Sequence, residues 1–189
     1  MKITLDLIPI GRVNRSQLPL KKQYYITVHD TGNTSKNSGA IRHAIYLRTK
    51  SEIDKDKYKS WHYTVDDKVI VQSLPDLEVG YNAGDGANGT GNRNSIHIEI
   101  CENPESNRAK AEENAIWLIA TLMIKYTIPL GSVVQHNYWK STTYPLGKNC
   151  PRVIRARPNG WVEFNNKITI KYRELYKPLG GGDRPLDVL

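Results

Sequence analysis

The chain has 189 residues, enough for one full hydrophobic core and short for two, so a single compact domain with a tail is expected. Its 27 Lys and Arg against 19 Asp and Glu leave a net charge of +8, which suits an anionic partner: nucleic acid, a membrane surface or a polyanionic cell wall. The basic residues are scattered, and no basic stripe with stacking aromatics or a groove-entering element stands out, which argues against nucleic acid.

Residues 1–20 carry a short apolar patch (Ile3, Leu5, Leu7, Ile8, Ile10) broken by Asp6 and Pro9. It is neither a secretion signal nor long enough to span a bilayer, so membrane insertion is not expected. The expectation is a chain made and kept in the cytosol until something else releases it. There, two cysteines point to a free thiol and a ligand rather than a disulfide.

Tyr24 to His29 reads as a strand, with Ile26 and Val28 facing one way and Thr27 and His29 the other; Asp30-Thr31-Gly32-Asn33 ends it. From Ser38 to Thr49, Ile41, Ala44, Ile45 and Arg48 follow helical spacing, with Ser38 as the expected cap and His43 off the stripe at the surface. Trp61–Val65 and Val69–Leu74 form a hairpin around Asp66-Asp67-Lys68. Residues 80–94 are a Gly- and Asn-rich loop that feeds a strand. A phosphate-binding loop would need Gly-Lys-Ser/Thr opening a helix, so that reading fails.

The next strand, Ser95 to Cys101, alternates strictly: Ile96, Ile98 and Ile100 to one side, His97, Glu99 and Cys101 to the other. A carboxylate in mid-strand is either a half-exposed edge residue or an acid or base aimed into a cleft. Residues 110–127 give the clearest helix, with Ala115, Leu118, Ile119, Leu122, Met123 and Tyr126 on one stripe and Pro129 beyond its end. Val133 and Val134 form a short strand that delivers His136, a polar loop runs from Asn137 to Asn149, and Trp161–Tyr176 make a closing helix. The glycine run Gly180-Gly181-Gly182 and the residues after it read as a flexible linker, so residues 1–177 form the domain and 178–189 the tail. Strands mixed with helices on the scale of one sheet give an α/β or α+β domain.

His29, His136 and Cys150 each sit where a hydrophobic run gives way to loop-forming residues, which is where sites are built. Two imidazoles and one thiolate make a three-ligand zinc site, and the open fourth position is the mark of a catalytic rather than a structural zinc. Cys101 competes as the thiol ligand because it shares a face with Glu99. His62 and His97 are the alternatives for a fourth ligand, which would make the site structural.

Taken in order, Val28-His29-Asp30-Thr31, Ser60-Trp61-His62-Tyr63-Thr64-Val65-Asp66, Ala83-Gly84-Asp85-Gly86, Gly91-Asn92-Arg93-Asn94-Ser95-Ile96, Ile98-Glu99-Ile100-Cys101, His136 and Lys148-Asn149-Cys150-Pro151 closely resemble the zinc-dependent N-acetylmuramoyl-L-alanine amidases. These belong to the type 2 amidase and peptidoglycan-recognition superfamily, and the likeness is strongest to catalytic domains of phage endolysins. It runs from about Tyr24 to Ile154. The resemblance implies an α/β single domain with a mixed central sheet flanked by helices and zinc in a surface groove at the strand ends. It further implies peptidoglycan as partner, His29, His136 and Cys150 as zinc ligands, Glu99 as the catalytic carboxylate and Lys148 as support for the developing oxyanion. A separate wall-binding domain beyond the tail would fit the same pattern. Trp61 stands where several relatives carry tyrosine, Asn82 where others carry histidine, and His97 where a small residue is usual. These three are therefore the expected points of substrate contact and preference.

Overall fold

The computed structural model describes residues 2–20 and 25–177. The expected tail, 178–189, and Tyr24, expected to open a strand, lie outside the described residues. The strands are β1 (Ile3–Leu5), β2 (Tyr25–Asp30), β3 (Tyr63–Val65), β4 (Ile70–Gln72), β5 (Ser95–Ile100) and β6 (Val133–Gln135). They form one six-stranded mixed sheet in the order β1-β4-β3-β5-β2-β6. Each neighbouring pair is parallel except β3 with β4, the hairpin foreseen around residues 66–68. The helices are α1 (Ala40–Thr49), α2 (Thr90–Arg93), α3 (Arg108–Tyr126), α4 (Arg152–Arg155) and α5 (Gly160–Tyr176).

Period-two alternation gives the sheet two unlike faces. On one, Ile26 and Val28 of β2, Ile96, Ile98 and Ile100 of β5 and Val65 of β3 pack against Leu118, Ile119 and Leu122 of α3 and Phe164 and Ile168 of α5, all in one core. Each large side chain fully buried there contributes about 1.5–3 kcal/mol, so this face carries most of the stability. The other face presents Thr27, His29, Thr64, His97 and Glu99, all buried. Helix α1 covers part of this polar side: Ala40 and Ala44 meet Val71 and Cys101, while Leu47 meets Ile8, Trp61 and Leu74. Ala83, Val134 and Trp139, mostly from loops, close over another part.

Several local expectations change. In α1 the buried stripe is Ala40, His43, Ala44 and Leu47, whereas Ile41 is 55% exposed. His43, expected at the surface, is buried; its ring Nδ1 donates to the Gly39 carbonyl, which satisfies it locally. The helix is turned this way because its start is drawn onto Asp66, so close that a Cβ on Gly39 would lie 2.8 Å from Asp66 Oδ2. Ser38 is not the cap, since its hydroxyl donates to the carbonyls of Asn33 and Ser35. Asp66 acts instead: Oδ2 accepts from Ala40 N at 2.9 Å, and Oδ1 accepts from Lys68 N and Val69 N, each at 2.8 Å. One carboxylate thus caps a helix and closes the hairpin turn.

Helix α3 starts at Arg108 because the Asn107 side chain accepts from Lys110 N, and it ends at Thr127 in a left-handed conformation with φ 54°. The loop at 80–94 contains the short α2. The N-terminal apolar patch becomes an edge strand, β1, and Ile8 just beyond it is fully buried. Among the described residues no helix is long and apolar enough to cross a membrane.

Asp66→Ala would leave three backbone N–H groups short of an acceptor. We expect a loss of about 2–4 kcal/mol in urea unfolding, with amide exchange accelerated first at the start of α1. Unchanged exchange at Ala40 would rule out the capping role.

Candidate metal and catalytic site

Strands β5, β2 and β6 run parallel, so their C-terminal ends lie along one edge of the sheet, where ligands commonly bind in α/β folds. Register does the placing. His29 of β2 is paired directly with Glu99 of β5, and His136 follows Gln135, the partner of Val28. Cys150 arrives from the long loop and is held to the same edge. Its Sγ accepts from Asp30 N at 3.4 Å, and its carbonyl accepts from Asn137 N at 3.0 Å. Asp30 then fixes the neighbourhood, because its carboxylate accepts from Val153 N at 2.8 Å and pairs with Arg108, which also pairs with Glu112. Arg157, just beyond α4, joins Glu112 as well. Within this ion-pair chain only Arg108 and Glu112 are neighbours in sequence, four residues apart; the links to Asp30 and Arg157 span tens of residues and leave no sign in local pattern.

The ligand atoms of His29, His136 and Cys150 all lie within 4.8 Å of one another, and the two Nδ1 atoms are 2.9 Å apart. His136 Nε2 is 3.0 Å from the Ala83 carbonyl, which can only accept. The ring proton therefore sits on Nε2, leaving a lone pair on Nδ1. Burial lowers the pKa of His29 well below the usual histidine value, helped by His136 and His97. Burial, with the charge of Lys148 next, takes His136 down to about 4. Both rings are neutral at pH 7. Burial and the nearby Glu99 push the Cys150 thiol up to about 12, so only a bound cation would make it a thiolate near neutrality. Two neutral imidazoles and a buried thiol turned toward one point suit zinc.

The competing ligands are accounted for. Cys101 packs with Ala40, Ala44 and Val71 under α1, away from the His29–His136–Cys150 group. His62 has both nitrogens engaged: Nδ1 accepts from His97 N at 3.0 Å, and Nε2 donates to the Glu78 carbonyl at 2.8 Å.

Glu99 is 4% exposed on a central strand, so the half-exposed edge reading fails. Its Oε1 accepts from Asn82 Nδ2 at 2.8 Å, while Oε2 is buried with no hydrogen-bond partner among the described residues. Burial raises its pKa to about 7 against the opposing pull of Lys59, Asn82 and Lys148. Near neutrality this carboxyl can both take and give a proton.

Lys148 lies exposed at the rim, and its charge acts on His29, His136, Glu99 and Cys150. Asn82 is 7% exposed; it holds Glu99, and Asn92 Oδ1 in turn fixes its own backbone N–H. Trp61 is 3% exposed and donates to Thr64 Oγ1, with one edge on a cleft of about 250 Å³ beside Thr31 and Arg42. His97, expected to touch substrate, is fully buried behind His29, with its Nδ1 3.1 Å from His29 Nε2. It has no surface to offer a ligand.

Lys59 was missed. It lines the cleft beside Trp61 and also a second one of about 520 Å³ with Tyr58, Tyr81 and Gly84, and its charge acts on His29, His136 and Glu99. The loop that bears it is anchored by Lys50, whose buried ammonium donates to Tyr46 Oη and to Asp56. Residues 50–59 are crowded with lysines and acids, so one lysine among them carries no distinguishing pattern; only the fold reveals it.

The family model described as N-acetylmuramoyl-L-alanine amidase matches residues 20–153, a span that contains His29, Glu99, His136, Lys148 and Cys150. CwlH of Bacillus subtilis (strain 168), named as an N-acetylmuramoyl-L-alanine amidase, is 45% identical over 167 residues, 88% of this chain and 61% of CwlH. XlyA of the same organism, named likewise, is 49% identical over 157 residues, 82% of this chain and 48% of XlyA. The chain thus spans about half to three-fifths of the length of these relatives. The solved catalytic domain of XlyA superposes with a TM-score of 0.76 at 45% identity, covering 89% of this chain and 99% of that domain. A family model that extends over most of the chain, and relatives this similar in both sequence and fold, mean that the chain belongs to the N-acetylmuramoyl-L-alanine amidase family.

Proposed function

We propose that this domain hydrolyses the amide bond between the lactyl group of N-acetylmuramic acid and L-alanine in peptidoglycan, as an endolysin or autolysin does. The observation that carries the reading is the convergence of His29, His136 and Cys150 beside Glu99, in register on neighbouring strands. These three residues would hold zinc, which supplies Lewis acidity toward the amide carbonyl and toward water.

The chain's own groups do the rest. Glu99, held by Asn82, takes the proton of the attacking water through its free Oε2 and returns it to the departing amine of L-alanine. Lys148 supplies positive charge from the rim as the carbonyl oxygen becomes anionic. The clefts on either side share Lys59, which suits an extended, anionic glycopeptide lying across the site. Two free, buried cysteines are compatible with synthesis in a reducing cytosol before release to the wall.

Mass spectrometry of digested peptidoglycan should find a free lactyl terminus paired with a free L-alanine amine; cleavage at a glycosidic or cross-bridge bond would refute the assignment. Glu99→Gln should keep zinc and lose about 10²- to 10⁴-fold in turnover. If it retains both metal and full rate, Glu99 is not the proton carrier.

Removing metal with a chelator should abolish wall clearing, and Cys150→Ala should bind zinc far more weakly while Cys101→Ala binds it normally. The reverse result would mean that the wrong thiol has been assigned.

The ionised form of Glu99 accepts the proton, so kcat/KM should rise with pH through the acid limb that Glu99 sets. Asn82 stabilises that ionised form. Asn82→Ala should therefore move the limb upward, by up to about one pH unit, because a hydrogen bond to a charged group is worth roughly 1.5 kcal/mol. A limb that stays put or moves down would break the link between Asn82 and Glu99.

A further inference from the structure

We infer that His97 is a positioning residue for the metal centre: buried behind the His29 ring, it accepts a hydrogen bond from His29 Nε2 and so holds that ring with Nδ1 turned toward the metal position. This rests on the reading of His29 as a zinc ligand.

Two groups here have hydrogen-bonding roles that leave no choice. The backbone N–H of His97 can only donate, and it donates to His62 Nδ1; the Glu78 carbonyl can only accept, and it accepts from His62 Nε2. Glu78 is itself clamped by Arg15, whose Nε lies 2.7 and 2.8 Å from the two carboxylate oxygens. His62 is thereby locked in one tautomer, and β5 is locked at position 97. The His97 ring has no room to leave, being fully buried.

Two proton arrangements are open to the His29–His97 contact. In one, His97 carries its proton on Nε2 and accepts from His29 Nε2, which leaves His29 Nδ1 as a lone pair facing His136 Nδ1. In the other, His97 donates from Nδ1, His29 is protonated on Nδ1 in the ligand position, and His97 Nε2 becomes a bare acceptor. There the His29 Nδ1 proton would donate to His136 Nδ1, 2.9 Å away, and fill the position meant for metal; His97 Nε2 has no hydrogen-bond partner among the described residues in either arrangement. A metal held by the two Nδ1 atoms would exclude a proton there, so metal binding would select the first arrangement, with His97 Nδ1 accepting from His29 Nε2. Outer partners of this kind orient a ligating imidazole and raise its basicity.

The test measures zinc affinity of the whole chain by competition with a chromogenic chelator, alongside the unfolding transition of the metal-free protein. His97→Leu, similar in bulk but without an acceptor, should bind zinc about 10- to 100-fold more weakly, and His97→Gln, whose amide oxygen can accept, should recover most of the loss. Zinc affinity equal to the parent in His97→Leu, or no recovery in a folded His97→Gln, would overturn the inference. Long-range 1H–15N NMR of the zinc-loaded parent gives a second readout that needs no variant: the His97 proton is expected on Nε2, and a proton on Nδ1 would refute it. His29→Ala separates the two levels, since unaltered zinc affinity there would bring down the ligand assignment itself.

Discussion

Parallel pairing of β2 with β5 is the constraint on which the site depends. It places His29 opposite Glu99 and, through the same alternation, sends Ile26, Val28, Ile96, Ile98 and Ile100 into the core under α3 and α5. Because side chains alternate with period two, a slip of one residue in either strand would drive the isoleucines outward and bury the histidine and carboxylate in apolar surroundings. The apolar face therefore enforces the geometry of the polar one. Two requirements that look separate, a stable core and a histidine set beside a buried carboxyl, are met by a single register.

The polar face works against stability. Among the described residues Glu99 is buried with an unpartnered oxygen and His97 with an unpartnered nitrogen, and three histidines, His29, His62 and His97, are held neutral by desolvation. Each unsatisfied buried polar atom costs about 1–3 kcal/mol, a large part of the net stability of a domain this size. The opposite face, filled by α3 and α5, offsets that cost. The charged network of Asp30, Arg108, Glu112 and Arg157 does another job: it ties the end of β2 to α3 and to the segment beyond Cys150, so that the loop-borne thiol meets the strand-borne histidines. Local destabilisation tolerated at a functional site and compensated elsewhere is the usual arrangement.

What the sequence discloses and what it hides divide along contact distance. The strand from Ser95 to Ile100 is legible because its alternation is a local signal, and the α3 stripe is legible for the same reason. His29 and His136 could be placed at strand ends by the same local reading. Long-range partners were hidden. Asp66 caps a helix 26 residues before it, displacing Ser38 from the role that local pattern assigned to it. That capping contact also turns α1 so that His43 goes in and Ile41 comes out. The edge strand β1 could not be foreseen, because three residues give no periodicity and its pairing with β4 spans most of the N-terminal half. Asn82 and His97 stood out as departures in composition, but whether they face substrate or brace the residues behind it is a matter of depth, which a linear pattern does not encode.

Depth also weighs between hydrolysis and two other roles for such a site: a purely structural zinc, or a module that binds cell wall without cutting it. A structural zinc would need a fourth protein ligand, and both candidate histidines are engaged elsewhere: His62 uses both nitrogens, and His97 lies on the Nε2 side of His29, away from the Nδ1 edge that meets His136. A module that only recognises cell wall would have no use for a carboxyl buried beside His29 and Cys150, raised to about 7 and with one oxygen free of hydrogen bonds among the described residues. Such an oxygen is costly in a resting structure, and it becomes useful only if a proton passes through it. The unpaired Oε2 is therefore the feature that a binding protein would be expected to discard and a hydrolase to keep.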